Sequence, residues 1–192
     1  MRKKANPATR SGPGTLEILQ LKVTLKHVQP VVWRRIAVAN NLTLGDLHHV
    51  IQRAMGWNND HMHAFYICGV EYAGHERAEF HGVLRDFDFL LHQVIKRPGQ
   101  RFTYEYDFGD GWMHEIRVEK MVPVAGAPPA PRCLAGARAC PPEDCGGPYG
   151  YQNLLAARSD PNDRNLERWG EPAWVRSLDR ERFDLDEVNR RL

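Results

Sequence analysis

Long apolar runs are missing from this 192-residue chain. A membrane-spanning helix needs about 20 mostly apolar residues, and here the longest candidates are broken by His, Arg or Asp. That excludes a membrane partner of this kind. Residues 1–14 are basic but hold no apolar segment, so they do not read as a secretory signal, and the expected location is cytoplasmic. Serine is scarce: Ser11, Ser159 and Ser177 are the three, none inside a Gly-x-Ser-x-Gly turn, which argues against a serine hydrolase. No Walker or dinucleotide glycine loop occurs, which argues against a nucleotide-dependent enzyme. No internal repeat is visible.

Strong net charge is also lacking. The formal charge is +2, and Arg2, Lys3, Lys4 and Arg10 supply more than that without any acid in residues 1–14. The other 178 residues hold 22 basic and 24 acidic side chains. A near-neutral body does not offer the broad basic face that nucleic acid requires. The arm over residues 1–14 reads as a flexible, solubilising tail, with phosphate binding as the alternative. A composition 42% hydrophobic and 26% charged is that of a folded soluble domain, and the length allows one substantial core. We therefore expect a single domain over residues 15–192.

The periodicity predicts its elements. Leu19, Leu21, Val23 and Leu25 alternate along a half-buried strand, and Val31–Val38 is a second β-branched run. Thr43–Met55 is the one long early helix. Thr43 caps it with Asp46 three residues on, and Gly56 stops it. Leu44, Leu47, Val50, Ile51, Ala54 and Met55 form its apolar stripe, leaving His48, His49, Gln52 and Arg53 largely off it. Ala64–Cys68 and Val70–Tyr72 read as short strands, and residues 74–99 are the least legible. Arg101–Phe108 and Met113–Val122 are the arms of a hairpin turning at Gly109-Asp110-Gly111. Val124–Pro131 is an irregular connector. Pro148–Arg158, Asn165–Ser177 and Asp184–Leu192 are helix candidates, the last capped by Asp184. Strands early and helices late give an α+β fold with an antiparallel or mixed sheet.

Two runs concentrate the residues that do chemistry: Tyr104–His114 and Cys133–Gly147. In the first, Asp107 and Asp110 either order the turn, while Tyr106, Phe108 and Trp112 pack, or converge with His114 as ligands or an acid/base pair. Alternation puts Trp112, His114 and Ile116 on one face, which draws His114 toward apolar neighbours. His61 and His63, if in a strand, point the same way about 7 Å apart and can meet one ion or phosphate.

Four cysteines in a cytosolic setting leave free thiols and metal ligation competing with disulfides. Cys133, Cys140 and Cys145 lack the Cys-x2–4-Cys spacing of zinc knuckles. A zinc site, a Cys133–Cys140 disulfide, and buried free thiols beside a loop pinned by Glu143 and Asp144 all remain open. Zinc is the cofactor a thiolate set would take; otherwise none is indicated. Adjacent Glu143 and Asp144 point different ways in extended chain, so one faces the body and the other solvent. The five tryptophans, Trp33, Trp57, Trp112, Trp169 and Trp174, read chiefly as core and rim packing.

The ordered motifs Pro30–Arg35, Leu44–His48, Met55–Trp57, His61–Phe65, Tyr106–His114, Cys140–Gly147, Gly150-Tyr151 and Phe183–Asn189 resemble the plasmid pRiA4b ORF-three-like family from about residue 16 to the C-terminus. The resemblance implies a protein of plasmids and other mobile elements and attaches no activity to it. Some members carry a resolvase-like label. That activity is not expected here, because a serine recombinase needs a nucleophilic serine among arginines and a helix-turn-helix region.

The function expected is a binding or adaptor module, with Asp107, Asp110, Trp112, His114, Glu143 and Asp144 on its ligand face. A protein or small ligand is the expected partner, ahead of nucleic acid. The first alternative is a metal-dependent hydrolase or nuclease, which requires at least three of His61, His63, Asp107, Asp110, His114 and Glu143 or Asp144 around one point. The second is a DNA-associated accessory protein of mobile elements, relying on the basic arm.

Overall fold

The computed structural model describes residues 15–159 and 178–192. Its frame is one eight-stranded sheet. The strands are β1 (Glu17–Leu25), β2 (Trp33–Ala39), β3 (His63–Ile67), β4 (Val70–Ala73), β5 (Leu84–Arg85), β6 (Arg101–Tyr106), β7 (Trp112–Pro123) and β8 (Arg132–Ala137). They lie in the order β5-β4-β3-β6-β7-β1-β2-β8. Every pairing is antiparallel except β4 with β5, so the sheet is mixed. The helices are α1 (Leu44–Met55), α2 (His75–His81), α3 (Leu91–Val94), α4 (Gly147–Ser159) and α5 (Leu185–Arg191). The fold is α+β, as the pattern of strands and helices predicts.

Alternation explains β1. Leu19, Leu21, Val23 and Leu25 are buried while their neighbours are half-exposed, the period of two that one covered sheet face imposes. The β6–β7 hairpin follows the same rule, with Tyr104 opposite His114 and Tyr106 opposite Trp112, all four fully buried. Helix α1 begins in a reciprocal cap: Thr43 Oγ1 accepts from the Asp46 N–H at 3.0 Å, and the Thr43 N–H donates to Asp46 Oδ2 at 2.8 Å. It ends where Gly56 turns left-handed. Its apolar stripe joins the strands' inner residues in the core.

Helix α1 runs 12 residues between its caps, and α4 runs 13. One expectation for α1 needs correction. His48 and Gln52 are not off its buried side; each is 2% exposed. Arg132–Ala137, to which the sequence assigns no element, pairs with β2 as an edge strand. The helix candidate Asn165–Ser177, with Trp169 and Trp174, and the arm over residues 1–14 lie outside the described residues. Among the described residues no helix is long and apolar enough to cross a membrane.

Helix α5 closes the β8 edge. Asp184 Oδ1 caps it by accepting from the Glu187 N–H at 2.9 Å. Asn189 then takes the place of a further strand, its Oδ1 accepting from the Cys133 N–H at 2.9 Å and its Nδ2 donating to the Cys133 carbonyl at 3.0 Å. An uncovered edge is a template for unwanted pairing. Asn189→Ala unpairs both backbone groups of a buried residue, and we expect a loss of about 1–3 kcal/mol in urea denaturation. A loss within about 0.5 kcal/mol, the ordinary surface range, would mean that water replaces the amide fully.

Candidate ligand and metal site

The two chemistry-bearing runs meet at a single junction. Asp107 opens the hairpin turn at φ 55°. Its Oδ1 accepts from the Gly109 and Asp110 N–H groups at 2.9 and 3.3 Å, so this acid does order the turn. Its own N–H donates to the Met62 carbonyl at 2.9 Å, which brings the segment before β3 alongside. The Cys140–Gly147 loop lies directly on this turn: a Cβ on Gly147 would stand 2.0 Å from the Asp110 carbonyl oxygen.

Glu143 pins the loop. It accepts from the Tyr106 hydroxyl and, at 2.7 Å, from the Asn58 N–H, while the Trp57 indole donates to the Pro141 carbonyl at 2.8 Å. Glu143 is thus occupied in holding structure and is not positioned as a free base. Asp144 turns the other way, with φ 57° and a side chain 75% exposed. Its Oδ1 lies 3.0 Å from His61 Nε2, and Asp107 Oδ2 lies 3.7 Å from the same nitrogen. His61 Nε2 is itself shielded from solvent and has no hydrogen-bond partner, so the Asp144 contact has the length but not the alignment of a hydrogen bond. One donor atom from each of the three residues lies within 4.8 Å of the others.

His61 and His63 do not share a ligand. His61 precedes β3 and is not part of it, which removes the strand geometry that would have aligned the pair. His63 Nε2 instead bonds Asp86 Oδ2 at 2.7 Å, and that carboxyl is buried. The His63 ring stacks on His48 with centroids 3.5 Å apart and planes 6° from parallel. His48 Nδ1 bonds the Tyr104 hydroxyl at 2.7 Å, its Nε2 bonds Asn59, and Gln52 Nε2 also donates to Tyr104. Burial, reinforced by the neighbouring His63 ring, pushes the His48 pKa down to about 2. Of these groups His48, Asn59 and His63 line a cleft of about 350 Å³, whose walls also include His49, His61, His75 and Phe87.

Other candidates sit apart from it. His114 is fully buried against Trp57 and Tyr104 at 5.4 and 5.3 Å, and neither ring nitrogen has a hydrogen bond. Burial takes its pKa down to about 4. It is a core residue, as is Trp112, and neither belongs to an open ligand face. Asp110 Oδ2 is shielded and unpartnered, and its carbonyl carries the Gly147 contact.

All four cysteines are free, so no Cys133–Cys140 disulfide forms. Cys133 Sγ donates to the Ala135 carbonyl at 3.5 Å. Burial pushes the Cys140 and Cys145 thiols up to about 12, the opposite of what an activated nucleophile requires. Among the described residues the grouping fit for a metal is His61, Asp107 and Asp144, without thiols.

The model of the plasmid pRiA4b ORF-3-like protein family matches residues 17–190. The chain belongs to that family. The uncharacterized protein y4hQ of Sinorhizobium fredii (strain NBRC 101917 / NGR234) is 40% identical over 152 residues, 78% of each chain. The crystal structure of a protein of unknown function, MM3350 from Methanosarcina mazei Go1, superposes with a TM-score of 0.78 at 31% identity, covering 91% of this chain and 99% of that one. The MM3350 structure thus shares the fold over most of this chain, and neither relative's name brings an activity with it.

Sequence reasoning missed His48, Gln52, Asn59 and Asp86 in this family member. A signal for His48 was present: it stands four residues after Leu44 and three before Ile51, adjoining the apolar stripe on the helix surface. Asp86 had none, since it lies in a short helical turn within the stretch that carries no periodicity.

Proposed function

We propose that the protein is a ligand-binding module, and that a small ligand enters the cleft beside the joined turn and loop. The observation that carries this reading is the junction itself. The Tyr104–His114 and Cys133–Gly147 runs are locked together by the Gly147–Asp110 contact and the Glu143 anchor, leaving His61, Asp107 and Asp144 beside the cleft. Its volume, about 350 Å³, falls within the range of small-molecule sites. Free thiols suit a cytoplasmic setting.

Thermal-shift screening of small polar compounds tests the reading. The affinity of a compound so found should fall about tenfold, or about 1.4 kcal/mol, in His75→Ala and in Met62→Ala. Both side chains are exposed on the cleft wall, so the melting temperature of the free protein should not move. Binding untouched by both substitutions would place the ligand elsewhere.

A second reading, a metal-dependent hydrolase, is favoured by one observation: His61, Asp107 and Asp144 meet the requirement of three candidate residues around one point. Three protein donors with open positions are the pattern of catalytic rather than structural metal centres. Its mark is turnover of an activated phosphodiester such as bis(p-nitrophenyl) phosphate that depends on added cation and disappears in His61→Ala. The DNA-associated reading rests on residues 1–14, outside the described residues, and the cleft lends it no support.

A further inference from the structure

The geometry points to a single divalent cation site made by His61 Nε2, Asp107 Oδ2 and Asp144 Oδ1, taking a first-row transition metal such as Zn²⁺ or Mn²⁺. This deepens the binding reading by naming a cofactor for the same site, and it rests on that reading only for the purpose the cation serves.

Donors held about 2.0–2.2 Å from one ion stand about 3–4 Å from one another. The His61–Asp144 and His61–Asp107 separations, 3.0 and 3.7 Å, are of that size. An independent observation lies in the imidazole. His61 Nε2 is shut off from solvent, faces the two carboxylates and makes no hydrogen bond, an unsatisfied arrangement that a cation would relieve.

The surrounding groups resemble the outer partners that orient ligands. The Gly109 and Asp110 N–H groups hold Asp107 Oδ1, and neither bonds Oδ2. The Tyr106 ring meets the His61 ring edge-on at 5.9 Å, and the Tyr106 hydroxyl is fixed by Glu143. One imidazole with two carboxylates favours a borderline transition metal over Mg²⁺ or Ca²⁺, which prefer oxygen alone. The absence of thiols from the set separates this site from any zinc centre built on Cys133, Cys140 or Cys145.

Isothermal titration of the untagged, chelator-treated full chain with Zn²⁺, and separately Mn²⁺, decides it. We expect one cation per chain, with affinity at least 30-fold weaker in His61→Ala and in Asp144→Asn and unchanged in Cys140→Ser. Asp144 is exposed, so metal-free Asp144→Asn should melt with the wild type; a melting point raised by Zn²⁺ in the wild type alone then reports ligation and not folding. Lack of uptake, or uptake that survives both substitutions or follows Cys140, overturns the proposal. Cleft-ligand binding by protein that takes up no cation would discard the cation and keep the cleft. One cation per chain with no cleft ligand would do the reverse.

Discussion

Gly147→Ala is expected to cost about 3 kcal/mol or more and to detach the Cys140–Gly147 loop from the hairpin turn. Two effects add. Gly147 has φ 67°, where any other side chain carries about 1–2 kcal/mol of strain. Its new methyl would also stand 2.0 Å from the Asp110 carbonyl oxygen, a collision with backbone that no side-chain rotation relieves; overpacking of this kind adds about 1–3 kcal/mol. Gly82→Ala is the matched control. Gly82 has φ 65° but nothing within 4 Å of the added methyl, so only the strain remains. Unfolding free energies of the two variants from urea titration should differ by about 2 kcal/mol at unchanged m-value. Equal losses would mean that the loop does not rest on the turn, and the junction would fail with it. Because Asp144 is carried by the same loop, Gly147→Ala should weaken cation uptake where Gly82→Ala does not.

The sequence was most legible where a local period governs structure. Strand β1, the β6–β7 hairpin and α1 each carry their own burial pattern or cap, and each can be read without knowing its neighbours. Strand β8 is different. Arg-Cys-Leu-Ala-Gly-Ala has weak alternation and small residues, and what makes it a strand is pairing with β2, with Asn189 of a distant helix on its outer edge. At the site, the residue types were visible but their division of labour was not. Glu143 and Asp144 are adjacent acids, and only the positive φ at Asp144, together with the Tyr106 and Asn58 donors, decides which one anchors and which one reaches His61. The condition for a shared His61–His63 face, a strand through both, is not met, because β3 starts only at His63. The His48–His63–Asp86 arrangement joins a helix, a strand and a short helical turn, and no single stretch of sequence contains it.

Acid should unfold this protein through histidines held neutral, and most of the loss should fall between pH 6.5 and 4. His48 and His114 have pKa values depressed from 6.5 to about 2 and about 4, both through burial. In the unfolded chain each takes a proton near pH 6.5, and in the folded protein neither does so until far lower pH. Their contribution is therefore complete above about pH 6.5 and is lost as pH falls, at about 1.4 kcal/mol per pH unit for each ring. By pH 4 the two together withdraw about 6 kcal/mol, which is comparable to the whole stability of an ordinary domain. Glu119, held down to about 2 by Arg35, acts in the same direction, but only below its ordinary value of about 4.5. Urea unfolding at pH 7.5, 6.0, 5.5 and 5.0 thus isolates the histidines. His114→Leu should leave stability at pH 7.5 within about 1 kcal/mol of the wild type, since it exchanges two unbonded ring nitrogens for an apolar group of similar size. The slope over this window should fall by about half. An unchanged slope would mean that His114 is already protonated in the folded core, with the Tyr104 and Trp112 backbone groups offsetting its burial.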